Sequence, residues 1–218
     1  MSSNPYWQLM LRSTLVTLPE WGIAYYHPRM PLEKVYGREY YEEYKNRSLT
    51  KIGEALNSAR VELVEKYRVG PHTLIDVGVG AGNFVSAYAC WGYDINPHAV
   101  SMLRAKNRYV EPQSVVGDLS LTFWDSLEHI PDPKPILDKI THYAFVSTPI
   151  YPDLHTLKNS KHYKPIEHCW YFTHEGIIQF MRAHGLIYIE HNQMETDIGR
   201  ESIGTYVFGR PSVTTNPS

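Results

Sequence analysis

Long apolar runs are missing from this 218-residue sequence. The fairly apolar stretch from Tyr6 to Tyr26 is broken by Arg12, Pro19 and Glu20 well before the roughly 18 residues that a membrane span needs. No basic segment leads into a clean apolar one, so neither a targeting signal nor a membrane association is expected. Excess charge is missing too. With 21 basic and 23 acidic residues the net charge is −2, and without a global basic field nucleic acid is not an expected partner. Cysteine is scarce: Cys90 and Cys169 are too few for a disulfide framework, and their apolar, aromatic surroundings suit buried thiols in a reducing, cytoplasmic setting. There is no internal repeat. At 43% hydrophobic, the chain can bury one good core and is short for two large domains.

What is present centres on residues 73–96. Thr73 to Val77 is a short run of β-branched and aliphatic residues that predicts a strand, broken by Gly78, Gly80 and Gly82. Asn83 to Cys90 can then form a short helix, and Trp91 to Ile95 a second strand carrying Asp94 near its end. Strand, tight turn, helix and strand make the first half of a nucleotide-binding α/β domain. The glycines let the backbone approach a ligand closely, and the N–H groups of the following helix point at it. Asp94 lies 16 residues after Gly78 (94 − 78), near the roughly 20-residue offset at which an acid meets ribose hydroxyls. A ligand containing adenosine is expected.

The glycine spacing separates two kinds of adenosine ligand. A dinucleotide fingerprint would place its third glycine at position 83, but that residue is Asn83 and the glycine is Gly82. The pattern D-x-G-x-G-x-G, on Asp76, Gly78, Gly80 and Gly82, resembles motif I of the class I S-adenosylmethionine (SAM) methyltransferases. This resemblance implies SAM as cofactor, with Asp94 and the adjoining Ile95 at its ribose end. Ahead of the motif, Asn57-Ser58-Ala59-Arg60 is similar to the N-x-x-R of the ubiquinone-type O-methyltransferases, which implies that Arg60 pairs with the cofactor carboxylate. The run from Trp124 to Pro133 resembles the loop after the fourth strand in small-molecule methyltransferases, which implies that Trp124, Asp125 and His129 face the site. Overall the resemblance spans roughly residues 57–208.

The rest of the chain fits that frame. Leu49, Ile52, Leu56, Ala59, Leu63 and Tyr67 recur every three or four positions and predict a helix from Ser48 to Tyr67, ended by Gly70 and Pro71. Further helices are expected at Pro97–Lys106, with Asn96 as cap, and at His174–Ala183, with Thr173 as cap. Strands are expected at Leu119–Phe123, Tyr143–Thr148, Leu186–His191 and Ile203–Phe208, whereas Asn107 to Gly117 carries only a weak strand signal and Asp118 is a poor stand-in for an acid at its end. The expected fold is α/β: a Rossmann-like, mostly parallel sheet flanked by helices, with an antiparallel edge hairpin at the C-terminus. Residues 1–47 are expected to be an aromatic-rich extension or lid, 48–209 the methyltransferase domain, and 210–218 a polar tail. The long segment 151–172 is expected to cover the substrate site.

A methyl group on a sulfonium is already activated, so the protein has mainly to align an acceptor and exclude water. For a hydroxyl acceptor a nearby imidazole can serve as base; His129 is the first candidate and His168 the second. His155, His162, His168 and Cys169 have spacings unlike those of a tight metal motif, so no metal is expected. The implied activity is SAM-dependent methyl transfer to a small-molecule or saccharide-like acceptor. The alternatives are a non-catalytic binding subunit of the same fold and a protein or nucleic-acid methyltransferase.

Overall fold

The computed structural model describes residues 13–27 and 37–211. Its centre is a six-stranded sheet built from β3 (Leu74–Val77), β4 (Trp91–Tyr93), β5 (Ser120–Trp124), β6 (Tyr143–Pro149), β8 (Ile187–Asn192) and β9 (Ile203–Gly209), in the order β4-β3-β5-β6-β9-β8. The first four are parallel, and β9 runs antiparallel to both β6 and β8. The chain leaves β3 to one side for β4 and returns on its other side as β5. That reversal opens a crevice at the carboxyl ends of these strands, where α/β sheets bind ligands.

Alternation along the strands feeds a core on each face. Ile75, Val77, Leu121 and Phe123 point one way, into α5 (Lys134–Leu137) and α6 (His174–Ala183), which contribute Ile136, Leu137, Ile177, Phe180 and Met181. On the other face Leu74, Phe145 and Val207 meet α2 (Lys51–Lys66), α3 (Asn83–Tyr88) and α4 (Pro97–Ala105), through Leu63, Val64, Phe84, Val85, Ala99 and Leu103. The caps are local. Thr50 accepts the Gly53 N–H at 3.1 Å, Asn96 the His98 N–H at 3.0 Å and Thr173 the Gly176 N–H at 3.1 Å.

A second, smaller sheet joins distant parts of the chain. β1 (Thr14–Leu18) pairs with β2 (Ile23–His27), and β2 pairs with β7 (Trp170–Phe172), both antiparallel. Ala24, Tyr26, Tyr151, Leu157 and Tyr171 form its own core. Cys169, just before β7, donates its N–H to the Glu128 carbonyl at 2.7 Å, so this sheet is tied to the loop after β5. Both cysteines are buried and free.

Several segments outside the large sheet bear on those expectations. The N-terminal extension joins the small sheet, where β2 is hydrogen-bonded to β7, and α1 (Arg38–Ser48) runs across position 47. The prolines of the supposed lid, Pro28 and Pro31, lie outside the described residues. Segment 151–172 packs into the small sheet and lends it β7, and the lining of the cavity described below comes from other segments. The weak stretch 107–117 makes only a parallel bridge from Tyr109 to Gly92. In α2 the apolar stripe is buried only near its C-terminal end, at Leu63 and Val64, while Leu49 and Ile52 are exposed. The N-terminal half of that helix borders the cavity instead.

Candidate active site

A cavity of about 370 Å³ occupies the crevice, within the size range of small-molecule sites. Its floor is the carboxyl end of β3 and the turn after it, from Asp76 to Ala81. Asp94, Ile95 and Asn96 follow β4, Trp124, Asp125 and Ser126 close β5, and Leu56, Asn57 and Arg60 of α2 form one wall. His129, Ile130, Pro131 and Ile136 bound the far end, with Tyr41 and Arg47 of α1 above.

The turn is shaped by what it must avoid. Gly78 has φ +81°, and a Cβ there would lie 2.5 Å from the Ser126 Cβ; Gly82 has φ +74°, and its Cβ would strike the Met102 Cε at 2.4 Å. Only glycine meets both demands, on conformation and on space. Asp76, buried under the turn, accepts the Thr122 hydroxyl at 2.7 Å from the neighbouring strand. Burial pushes its carboxyl up to about 7, against the opposing pull of that hydrogen bond and of Arg60. Gly80 donates its N–H to Asp94 Oδ2 at 3.3 Å, and Asn96 donates to Oδ1 at 2.8 Å. Both carboxylate oxygens thus face backbone N–H donors, and an ionised carboxylate has about four lone-pair sites with which to accept a hydroxyl as well. Burial raises the Asp94 carboxyl, and those backbone donors oppose it.

Across the cavity lies an ion cluster of two arginines and two acids. Arg60 donates to Glu195 at 2.7 Å and to Asp125 at 3.3 Å, and its guanidinium sits 5.1 Å from the centre of the Trp124 ring. Arg200 holds Asp125 with both terminal nitrogens, at 2.5 and 3.0 Å, and also reaches Glu195. Asp125 itself has φ +55°. Burial would raise its carboxyl, but Arg200 and then Arg60 overrule that and hold it below the ordinary carboxylate value.

His129 donates from Nδ1 to the Glu167 carbonyl at 3.0 Å, which leaves the proton off Nε2. Burial lowers its pKa although Glu167 pulls the other way, so the ring is neutral at pH 7. His168 is not on the cavity wall. It is buried behind His129, with ring centroids 4.7 Å apart and planes perpendicular, and burial lowers its pKa to about 2.

The structure therefore gathers Asp76, Gly78, Gly80, Asp94, Ile95, Arg60, Trp124, Asp125 and His129 around one cavity. Gly82 stands just outside as the N-cap of α3. Arg60 is engaged with acids of the chain itself. Sequence reasoning missed Glu195 and Arg200, which meet Arg60 and Asp125 only in the folded chain, and Glu128, the residue next to His129.

The chemistry of this donor set fits SAM: an acid with spare acceptors at the end of β4, the apolar Ile95 beside it, and a glycine turn open to a ligand. Fold and cleft define a class I SAM-dependent methyltransferase. Residues 38–191 match the family model described as a methyltransferase domain, and the chain belongs to that family. Among solved structures, it is similar to the magnesium protoporphyrin IX methyltransferase of Synechocystis with bound S-adenosylhomocysteine (TM-score 0.55, 10% identity, 82% of this chain and 98% of that one). It is also similar to the 1,6-didemethyltoxoflavin-N1-methyltransferase of Burkholderia thailandensis (TM-score 0.58, 10% identity, 91% and 98%). A third similar structure is a possible histamine N-methyltransferase of Thermotoga maritima (TM-score 0.55, 12% identity, 82% and 98%). No curated protein matches by sequence. Among the described residues no helix is long and apolar enough to cross a membrane.

Proposed function

We propose that the protein methylates a hydroxyl of a small, largely uncharged acceptor, saccharide-like or aromatic, bound between Trp124, Ile130, Pro131 and Ile136. The observation that carries this reading is His129, which lines the cavity as a neutral imidazole with its lone pair on Nε2. An amine already has a lone pair to offer once neutral, whereas a hydroxyl gains most from a base at the moment of attack. Bound SAM would supply an activated methyl group and a neutral thioether leaving group.

The chain's own residues have three tasks. Asp94 would hold the ribose hydroxyls with its spare lone pairs, while Gly78 and Gly80 leave space for the ligand beside the backbone. Arg60 and Arg200 hold Asp125 and Glu195 by charge-assisted hydrogen bonds, so the charges beside the cavity are matched. His129 would take the proton of the acceptor on Nε2, its ring held in place by Glu167.

A screen of hydroxylated, amine and thiol acceptors with methyl-labelled SAM tests this. Hydroxyl acceptors should turn over, and His129→Gln should lower kcat about 100-fold or more while S-adenosylhomocysteine affinity stays within a factor of two. Turnover of amines alone, or full activity in His129→Gln, would refute it. Labelled protein or nucleic acid would favour a macromolecular acceptor, and lack of S-adenosylhomocysteine binding a non-catalytic subunit.

A further inference from the structure

We infer that Glu128, His129 and His168 form a binding site for one divalent first-row transition-metal ion behind the acceptor end of the cavity. One ligand atom from each lies within 4.8 Å of those of the other two, so modest side-chain rotation brings all three to the distance of about 2.1 Å typical of imidazole and carboxylate ligands.

Two features mark this cluster as built to take a ligand. Glu128 is 1% exposed and its Oε2 has no hydrogen-bond partner; His168 is 5% exposed and its Nδ1 has none either. Buried polar atoms are nearly always satisfied; the Thr148 hydroxyl lies beside Glu128, whereas His168 Nδ1 has no hydrogen-bond partner. Charge counting agrees. The Arg60 and Arg200 guanidinium groups are matched by Asp125 and Glu195, and Lys164 by Glu167. Among the described residues Glu128 pairs with no lysine or arginine; its carboxyl faces the His129 ring at 4.0 Å and the Thr148 hydroxyl.

The second shell is also in place. His129 donates Nδ1–H to the Glu167 carbonyl, the arrangement that fixes a ligating imidazole with Nε2 toward a metal. The backbone clasp from Cys169 N–H to the Glu128 carbonyl, 2.7 Å, keeps His168 against its two partners although they are some 40 positions apart. Two imidazoles and one carboxylate select Mn²⁺, Fe²⁺, Co²⁺ or Zn²⁺ over Mg²⁺ and Ca²⁺, and leave positions open on the ion. With the ion bound, Nε2 of His129 is a ligand, so the base role proposed above belongs to the metal-free protein.

The test is titration of the purified full-length protein with Co²⁺, followed by its visible absorption and by calorimetry, with Mg²⁺ as control. One ion per chain should bind with the spectrum of a nitrogen-and-oxygen ligand set, and Glu128→Gln and His168→Phe should each weaken binding about tenfold or more. His168→Phe preserves a ring in the buried space and carries the test if Glu128→Gln does not fold. S-adenosylhomocysteine affinity and thermal unfolding of both variants report whether the cavity is intact. Absence of stoichiometric Co²⁺ binding by the wild type, or unweakened binding in both variants, overturns the assignment. Loss of S-adenosylhomocysteine binding by the wild type would instead count against the cofactor assignment.

Discussion

Replacing Arg200 with glutamine should cost about 2–3 kcal/mol of folding stability. Exposed ion pairs contribute about 0–1 kcal/mol, and removing one partner of a buried pair costs about 3–5 kcal/mol. Arg200 falls between: its side chain is 29% exposed, that of Asp125 17% and that of Glu195 0%. The substitution strips Asp125 of its two-pronged partner and leaves it Arg60 at 3.3 Å, a group already committed to Glu195. In a chain of this size each kcal/mol moves Tm by about 2–4 °C, so a fall of roughly 5–10 °C is expected. Urea unfolding of the wild type, Arg200→Gln, Asp125→Asn and the double variant should give a coupling of about 2 kcal/mol. The pH dependence has a definite sign. Because the Asp125 carboxyl is held below its ordinary value, its contribution is present above the unfolded pKa, about 3.9, and fades as pH falls through the lower folded value. The Arg200→Gln deficit should therefore be full at pH 7 and shrink below about pH 4. A deficit under about 1 kcal/mol, the surface-pair range, or one that does not change on acidification, would refute the reasoning.

Asp94→Ala should weaken S-adenosylhomocysteine binding by about 2 kcal/mol, as for a lost charge-assisted pair, measured by calorimetry; unchanged affinity would remove Asp94 from the site. Gly78→Ala must place its Cβ 2.5 Å from that of Ser126 at φ +81°, and overpacking with left-handed strain should cost about 2–4 kcal/mol in denaturant unfolding. For Asp76 the linkage runs opposite to that of Asp125. Its folded carboxyl is raised to about 7, so the folded state holds a proton that the unfolded state releases, and stability from this group is lost as pH rises from about 4 toward 7. Asp76→Asn should flatten that slope, and parallel pH–stability curves would show that the carboxyl is already ionised at low pH.

The cofactor half of the site was legible because its parts are close in sequence and each has a backbone reason. The glycines of the turn are forced by φ and by Ser126 and Met102, and Asp94 follows one helix and one short strand later. The strands after position 118 were legible for a similar reason, since two-sided burial makes continuous apolar runs. The ion cluster was not. Arg60 meets Glu195 across 135 positions and Arg200 meets Asp125 across 75, and no local pattern announces such pairs. The same holds for segment 151–172: its length suggested a cover, but Tyr151, Leu157 and Tyr171 find a core with Ala24 and Tyr26, a partner strand that only the folded chain supplies. The helix expected over Ser48–Tyr67 forms as α2, with Leu56 of its early stripe at the cavity wall and Leu49 and Ile52 exposed.

The pairing of Ile23 with Phe172 closes a loop of 149 positions (172 − 23). Contacts so far apart form late, after the entropy of closing the loop has been overcome. During synthesis the hairpin of β1 and β2 has no edge to join until β7 has left the ribosome, by which time the glycine turn, Asp94 and the loop after β5 have been translated and Arg200 of the cavity lining is still to come. His168 immediately precedes that junction. The chain thus builds the glycine turn and Asp94 from contiguous units, and brings His168 to His129 only when β2 and β7 meet.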